Sequence, residues 1–184
     1  GKNRVAANMF WYGDFTAIAH TTTTKSGGKG GGVKTSNTTY TYSASLMLGL
    51  CENKIKDIGI IWRDKEQIVP KTEAGVQLKP IDQVGFELFD GDQNPVWGYL
   101  ASKHPDQAVH YPFLGYVACA NYDLGGSASL SNHNFEVISN ITFSDTIHDA
   151  NPADVIEDLV TNPRYGAAPS LNMADLSEFR TYCA

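Results

Sequence analysis

The segment Thr38 to Leu50 (TTYTYSASLMLGL) constrains this chain more than any other. Tyr40, Tyr42, Ala44 and Leu46 alternate with Thr and Ser, and from Leu46 onward the run is apolar at both parities. A period of two sends alternate side chains to opposite faces of a strand. A strand patterned this way leaves a solvated surface at its start and enters a core at its end. The segment therefore predicts a long strand in a β-rich domain.

The flanking segments support the same architecture. A strand is predicted from Asn3 to Tyr12, because Val5 to Phe15 is apolar and aromatic with Gly13-Asp14 as a turn or bulge. Thr21 to Asn37 is rich in Gly, Thr and Ser and has almost nothing to bury, so it is expected to be a mobile connection. Short strands are predicted at Ile55–Trp62, Lys65–Val69, Phe86–Phe89, Leu114–Tyr122 and Phe135–Ile138, the last with an extension over Ile141–Phe143. A short helix is expected near 96–103, with Pro95 at its first position.

The last part of the chain changes character. Asn151 is placed to cap a helix, Pro152 suits its first turn, and Val155, Ile156, Leu159 and Val160 form an apolar stripe. Asn162-Pro163 ends it, and a second helix over 172–182 is expected to turn Met173, Leu176, Phe179 and Tyr182 or Cys183 inward. The fold class expected is α+β: mainly antiparallel β, barrel- or sandwich-like, with two C-terminal helices. The division expected is a β-rich region over 1–148, with its mobile loop at 21–37, and a helical segment over 149–184.

Composition excludes several classes of function. A hydrophobic fraction of 42% and a charged fraction of 18% describe an ordinary globular chain. No apolar run approaches the roughly 18 residues of a membrane helix, so no membrane span is expected. The net charge of −6 argues against nucleic acid as the main partner. The charge is uneven, however: residues 1–72 carry ten Lys/Arg against five Asp/Glu, and residues 73–184 carry four against fifteen. Cys51, Cys119 and Cys183 form no CxxC pair, and Cys51 and Cys119 read as small core hydrophobes.

Motifs for chemistry are incomplete. Gly28 to Thr35 (GKGGGVKT) approaches the phosphate-binding pattern GxxxxGK[ST], but Val33 stands where the second Gly is required and a β-rich run follows instead of a helix. Gly126-Ser127-Ala128-Ser129 lacks the second Gly of a nucleophile elbow. The five histidines include no pair at metal-ligand spacing. Neither a catalytic residue, a cofactor nor a metal is expected.

The run Asn151 to Gly166 (NPADVIEDLVTNPRYG) resembles the "NPA…I…DLLTNPRYG" segment of phage tail proteins, in the group that includes the lambda-like host-specificity protein and the hub proteins of gene transfer agents. Weaker patches resemble the same group in the same order, among them Cys51 to Ile55, Ile58 to Asp64 and Tyr111 to Phe135. Phe113-Leu114-Gly115 departs from the usual Tyr-Arg-Gly, and Ala167-Ala168-Pro169 from the usual sequel to the motif. The resemblance implies a subunit of the tail tip or baseplate hub, made in the bacterial host cytoplasm and carried in the virion tail. Its partners would be other tail subunits, commonly as a homotrimer closing the tail tube, and the ring would support host attachment.

Relatives in that group are much longer, and the opening on Gly1 leads to the expectation of a piece of a longer chain. A host receptor- or glycan-binding module is the alternative function, and a tail-borne cell-wall hydrolase a further one. The candidate interface residues are Trp11, Tyr12, Tyr40 and Tyr42.

Overall fold

In the computed structural model, residues 1–27, 33–92, 95–139, 150–167 and 173–183 are described. Strands dominate, and all their pairings are antiparallel. One sheet is built from β1 (Lys2–Ala6), β4 (Ile55–Arg63), β5 (Glu66–Ile68) and β10 (His133–Ser139), in the order β1-β10-β4-β5. The other contains β2 (Asn8–Ser26), β3 (Val33–Glu52), β8 (Glu87–Phe89) and β9 (Leu114–Gly125), in the order β2-β3-β9-β8. A small hairpin pairs β6 (Lys71–Glu73) with β7 (Val76–Leu78). The sheets are open and pack face to face, as in a sandwich.

Side-chain alternation explains the packing. Leu46 and Leu48 of β3 and Val117 and Cys119 of β9 point into the inter-sheet core, against Ile55, Ile58 and Ile61 of β4 and Phe135 and Val137 of β10. Residues of opposite parity, Met47, Tyr116 and Ala118, point the other way and join a second core with Phe89, Trp97 and Leu100. The β3–β9 pair is thus covered on both faces, which is why its sequence loses the polar half of the alternation. Burial raises the Cys119 thiol pKa to about 11, in keeping with a core role.

The first predicted strand is in fact two. At Ala7 the chain leaves one sheet for the other, so Lys2–Ala6 pairs with β10 while Asn8 onward pairs with β3. The helix α1 (Pro80–Val84) and the β6–β7 hairpin lay outside the sequence reading. The helix α2 spans Gly98–Lys103 and is preceded by Trp97, so Pro95 is not its first residue. Trp97 is buried, and its indole Nε1 donates to Glu87 Oε1 at 3.0 Å, which anchors this segment over the sheet. The extension at Ile141–Phe143 lies outside the described residues.

The helices α3 (Pro152–Thr161) and α4 (Met173–Tyr182) follow the expected bounds closely. Asn151 caps α3 by accepting from Ala153 N at 3.0 Å, and its amide donates to Arg180 O at 2.9 Å. The side-chain directions require correction. Val155, Ile156 and Leu159 are exposed, as are Phe179 and Tyr182, and Leu176 and Cys183 are only half-buried. The faces that meet carry Asp154 and Glu157, both bound by Arg180 at 2.7 Å.

The NPRYG segment pins these helices to the sandwich. Arg164 donates to Glu52 Oε1 at 3.0 Å and to Asn53 Oδ1 at 3.2 Å, and its guanidinium lies 4.7 Å from the Phe113 ring centroid. Tyr165 donates its hydroxyl to Asp158. A Cβ on Gly166 would sit 2.5 Å from Val160 O and 2.7 Å from Asn162 O, so only Gly fits. Gly166→Ala is expected to destabilise the chain by about 1–3 kcal/mol in denaturant unfolding.

His133 is buried between the sheets. Tyr122 OH donates to its Nε2 at 2.8 Å, and its Nδ1 donates to Ser131 O at 2.7 Å, an arrangement that fits the neutral ring. Burial holds its pKa below the ordinary 6.5. The sign follows: the unfolded chain binds the proton more readily, so stability is full above pH 6.5 and is lost as pH falls through the depressed folded value. Denaturant midpoints measured across that window should slope in the wild type, and His133→Gln should remove the slope.

Candidate assembly interface

β2 and β3 continue together beyond the sandwich. Their register is unbroken from Thr16↔Ser43 to Ser26↔Val33, whereas β9 joins β3 only from Tyr42 onward. The outer half of the hairpin is therefore, among the described residues, a two-stranded ribbon with two open edges, an arrangement of marginal stability alone. This corrects the expected loop at 21–37: Thr21–Ser26 and Val33–Asn37 are paired strand, and residues 28–32 lie outside the described residues. The phosphate-loop reading loses its remaining support here, since a strand follows the glycines.

Two devices aim the ribbon. The register slips between Gly13 and Thr16, a bulge whose residue Asp14 takes a left-handed φ of 51°. The Asp14 carboxylate then accepts from Tyr99 OH at 2.6 Å and from His104 Nε2 at 2.7 Å, tying the ribbon root to α2 and the residues just after it. A carboxylate can only accept, so His104 Nε2 carries the proton in this contact. The Tyr99 bond, then the His104 bond, hold the Asp14 pKa below its ordinary 3.8.

The four candidate residues divide into separate environments. Trp11 is half-buried at the root: its Nε1 donates to Gln107 Oε1 at 2.8 Å and its ring meets Trp97 edge-on at 6.0 Å. Tyr12 is exposed. Tyr40 and Tyr42 stack on the ribbon at 6.4 Å, and Tyr42 stacks on Phe15 at 5.6 Å. Phe15, 53% exposed, and Ile18, 52%, are ribbon residues that the sequence reading missed. Phe15 follows the Gly13-Asp14 turn signal, and only the bulge places it in line with the tyrosines.

The other concavity of note lies at the β3–β4 turn and includes Glu52, Lys54, Asp92, Arg164 and Tyr165. Its charged groups satisfy one another: Lys54 pairs with Asp92 at 2.5 Å, Arg164 with Glu52, and Tyr165 with Asp158. No helix among the described residues is long and apolar enough to cross a membrane.

No family model matches the sequence, and no curated protein matches it. Among solved structures, the chain is similar to one in the virion of a native gene transfer agent particle. The two share a fold. The alignment has a TM-score of 0.50 at 19% identity and covers 98% of this chain. The chain spans about a third, 35%, of the length of that relative.

Because the Asp14 pKa is depressed, its contribution is present above pH 3.8 and is lost as pH falls through the folded value. Amide exchange at the ribbon root should accelerate over that window in the wild type. In Asp14→Asn it should already be fast at neutral pH.

Proposed function

We propose that this chain is a structural component of a phage-like particle, built into the tail tip or baseplate hub, and that it acts through surfaces and not through catalysis. The observation that carries this reading is the aromatic stack of Phe15, Tyr42 and Tyr40, which runs from the last β9-paired position of β3 onto the outer ribbon, where neither edge carries a strand among the described residues. Large aromatic side chains on an open edge are the kind of surface an assembly buries. The shared fold with a gene transfer agent virion chain and the NPRYG segment support a particle setting. In this reading the partners are other tail subunits, with a homotrimeric ring as the arrangement, and the 149–184 segment leads to further domains.

The test uses Tyr40→Asp with Tyr42→Asp in the full-length protein. Both residues lie on the ribbon outside the cores, so the monomer is expected to keep its circular dichroism and unfolding midpoint. Particle yield, counted by negative-stain microscopy, should fall to background, because an unpaired carboxylate at an interface costs several kcal/mol. Normal particles from the double variant would refute the interface.

A further inference from the structure

Among the described residues, the outward face of α3 is a second surface without a partner. Amphipathic helices normally bury their apolar stripe. Here Val155, Ile156 and Leu159 are 44%, 40% and 61% exposed, while Asp154 and Glu157 are turned toward Arg180. Arg164, clamped to Glu52 and Asn53, holds the segment in this orientation.

The ribbon and this helix face stand at opposite ends of the same strand. β3 carries Tyr40 and Tyr42 on the ribbon, and its last residue, Glu52, is the Arg164 anchor. At about 3.3 Å per residue, Tyr42 and Glu52 are roughly 33 Å apart. A single chain cannot fold one surface onto the other, but adjacent copies can.

Charge favours that pairing. From Phe15 to Cys51 the chain contains no Asp or Glu, and Lys25 stands directly opposite Lys34 across the ladder. Like charges in that position repel. Residues 73–184, which include α3, carry fifteen Asp/Glu against four Lys/Arg. The lysine pair lies roughly 20 Å beyond Tyr40, and the net negative charge of the 73–184 segment on an approaching copy attracts it at long range.

We infer that the Phe15–Tyr42–Tyr40 face of one copy packs on the Val155–Ile156–Leu159 face of the next, a head-to-tail contact between copies of this chain. Such a contact is heterologous, and it closes into a ring when the rotation between copies permits. The inference rests on the assembly reading above and supplies its second surface.

Sedimentation equilibrium of the purified chain tests it. The wild type should associate with concentration, and association should weaken with added salt. A ribbon variant (Tyr40→Asp with Tyr42→Asp) and a helix variant (Ile156→Ser with Leu159→Ser) should each be monomeric. Mixed one to one, they should form a heterodimer that grows no further, because the first retains its helix face and the second its ribbon. If the helix variant fails to fold by circular dichroism, Leu159→Ser alone replaces it, with association expected to weaken at least about tenfold.

A monomeric wild type, a helix variant that associates like the wild type, or a mixture that remains monomeric would each overturn the head-to-tail contact. A helix variant that associates while the ribbon variant does not would leave the ribbon as an interface, so the assembly reading would survive the loss of this one.

Discussion

Burial of the β3–β9 pair on both faces is the constraint from which the rest of the structure follows. Leu46 and Leu48 need one cover and Met47 another, and a strand pair with two apolar faces is stable only between two layers. The β1-β10-β4-β5 sheet provides the first cover. The segment carrying Phe89, Trp97 and Leu100 provides the second, and its docking brings Tyr99 and His104 to the root of the hairpin. Core packing thus sets the direction in which the ribbon leaves the body.

The same strand changes role along its length. Past Ala44 it is core, and before Tyr42 it is a solvent-exposed ribbon, so anything bound to the ribbon is rigidly coupled to the sandwich through continuous backbone hydrogen bonds. At the far end, the turn at Glu52 and Asn53 receives Arg164. One strand therefore joins both outward-facing surfaces, which in the proposed assembly would fix the spacing of neighbouring copies.

Much of this was legible in the residues. The alternation around Tyr42 and its loss at Leu46 marked the core strand, and Asn151-Pro152 marked the start of α3, because these signals are local: strand period, and cap chemistry read over a few positions. The split at Ala7 was not legible, since Val5 to Tyr12 is apolar and aromatic apart from Asn8 and nothing local says which sheet will hold each half. Nor was the pairing within Thr21–Asn37, where Thr and Ser gave no burial signal and the ladder is held by backbone hydrogen bonds. Of the four interface candidates, Tyr40 and Tyr42 lie together while Trp11 turns to Gln107 and Trp97, a separation made at the Gly13-Asp14 bulge, whose place the residues signalled but whose direction they did not.

By itself, the sequence determined the β-rich class, the register-compatible faces of β3 and the helix boundaries near the end of the chain. These depend on backbone preference and on periodicity, which act over one or two turns of chain. Tertiary structure alone decided which way α3 faces. Its apolar stripe would face a core in an ordinary domain, yet Arg180 and the Arg164 clamp turn the acidic side inward and leave Val155, Ile156 and Leu159 outside. A helix presents the same stripe to whatever lies beside it, and what lies beside it is fixed by contacts more than a hundred residues away along the chain.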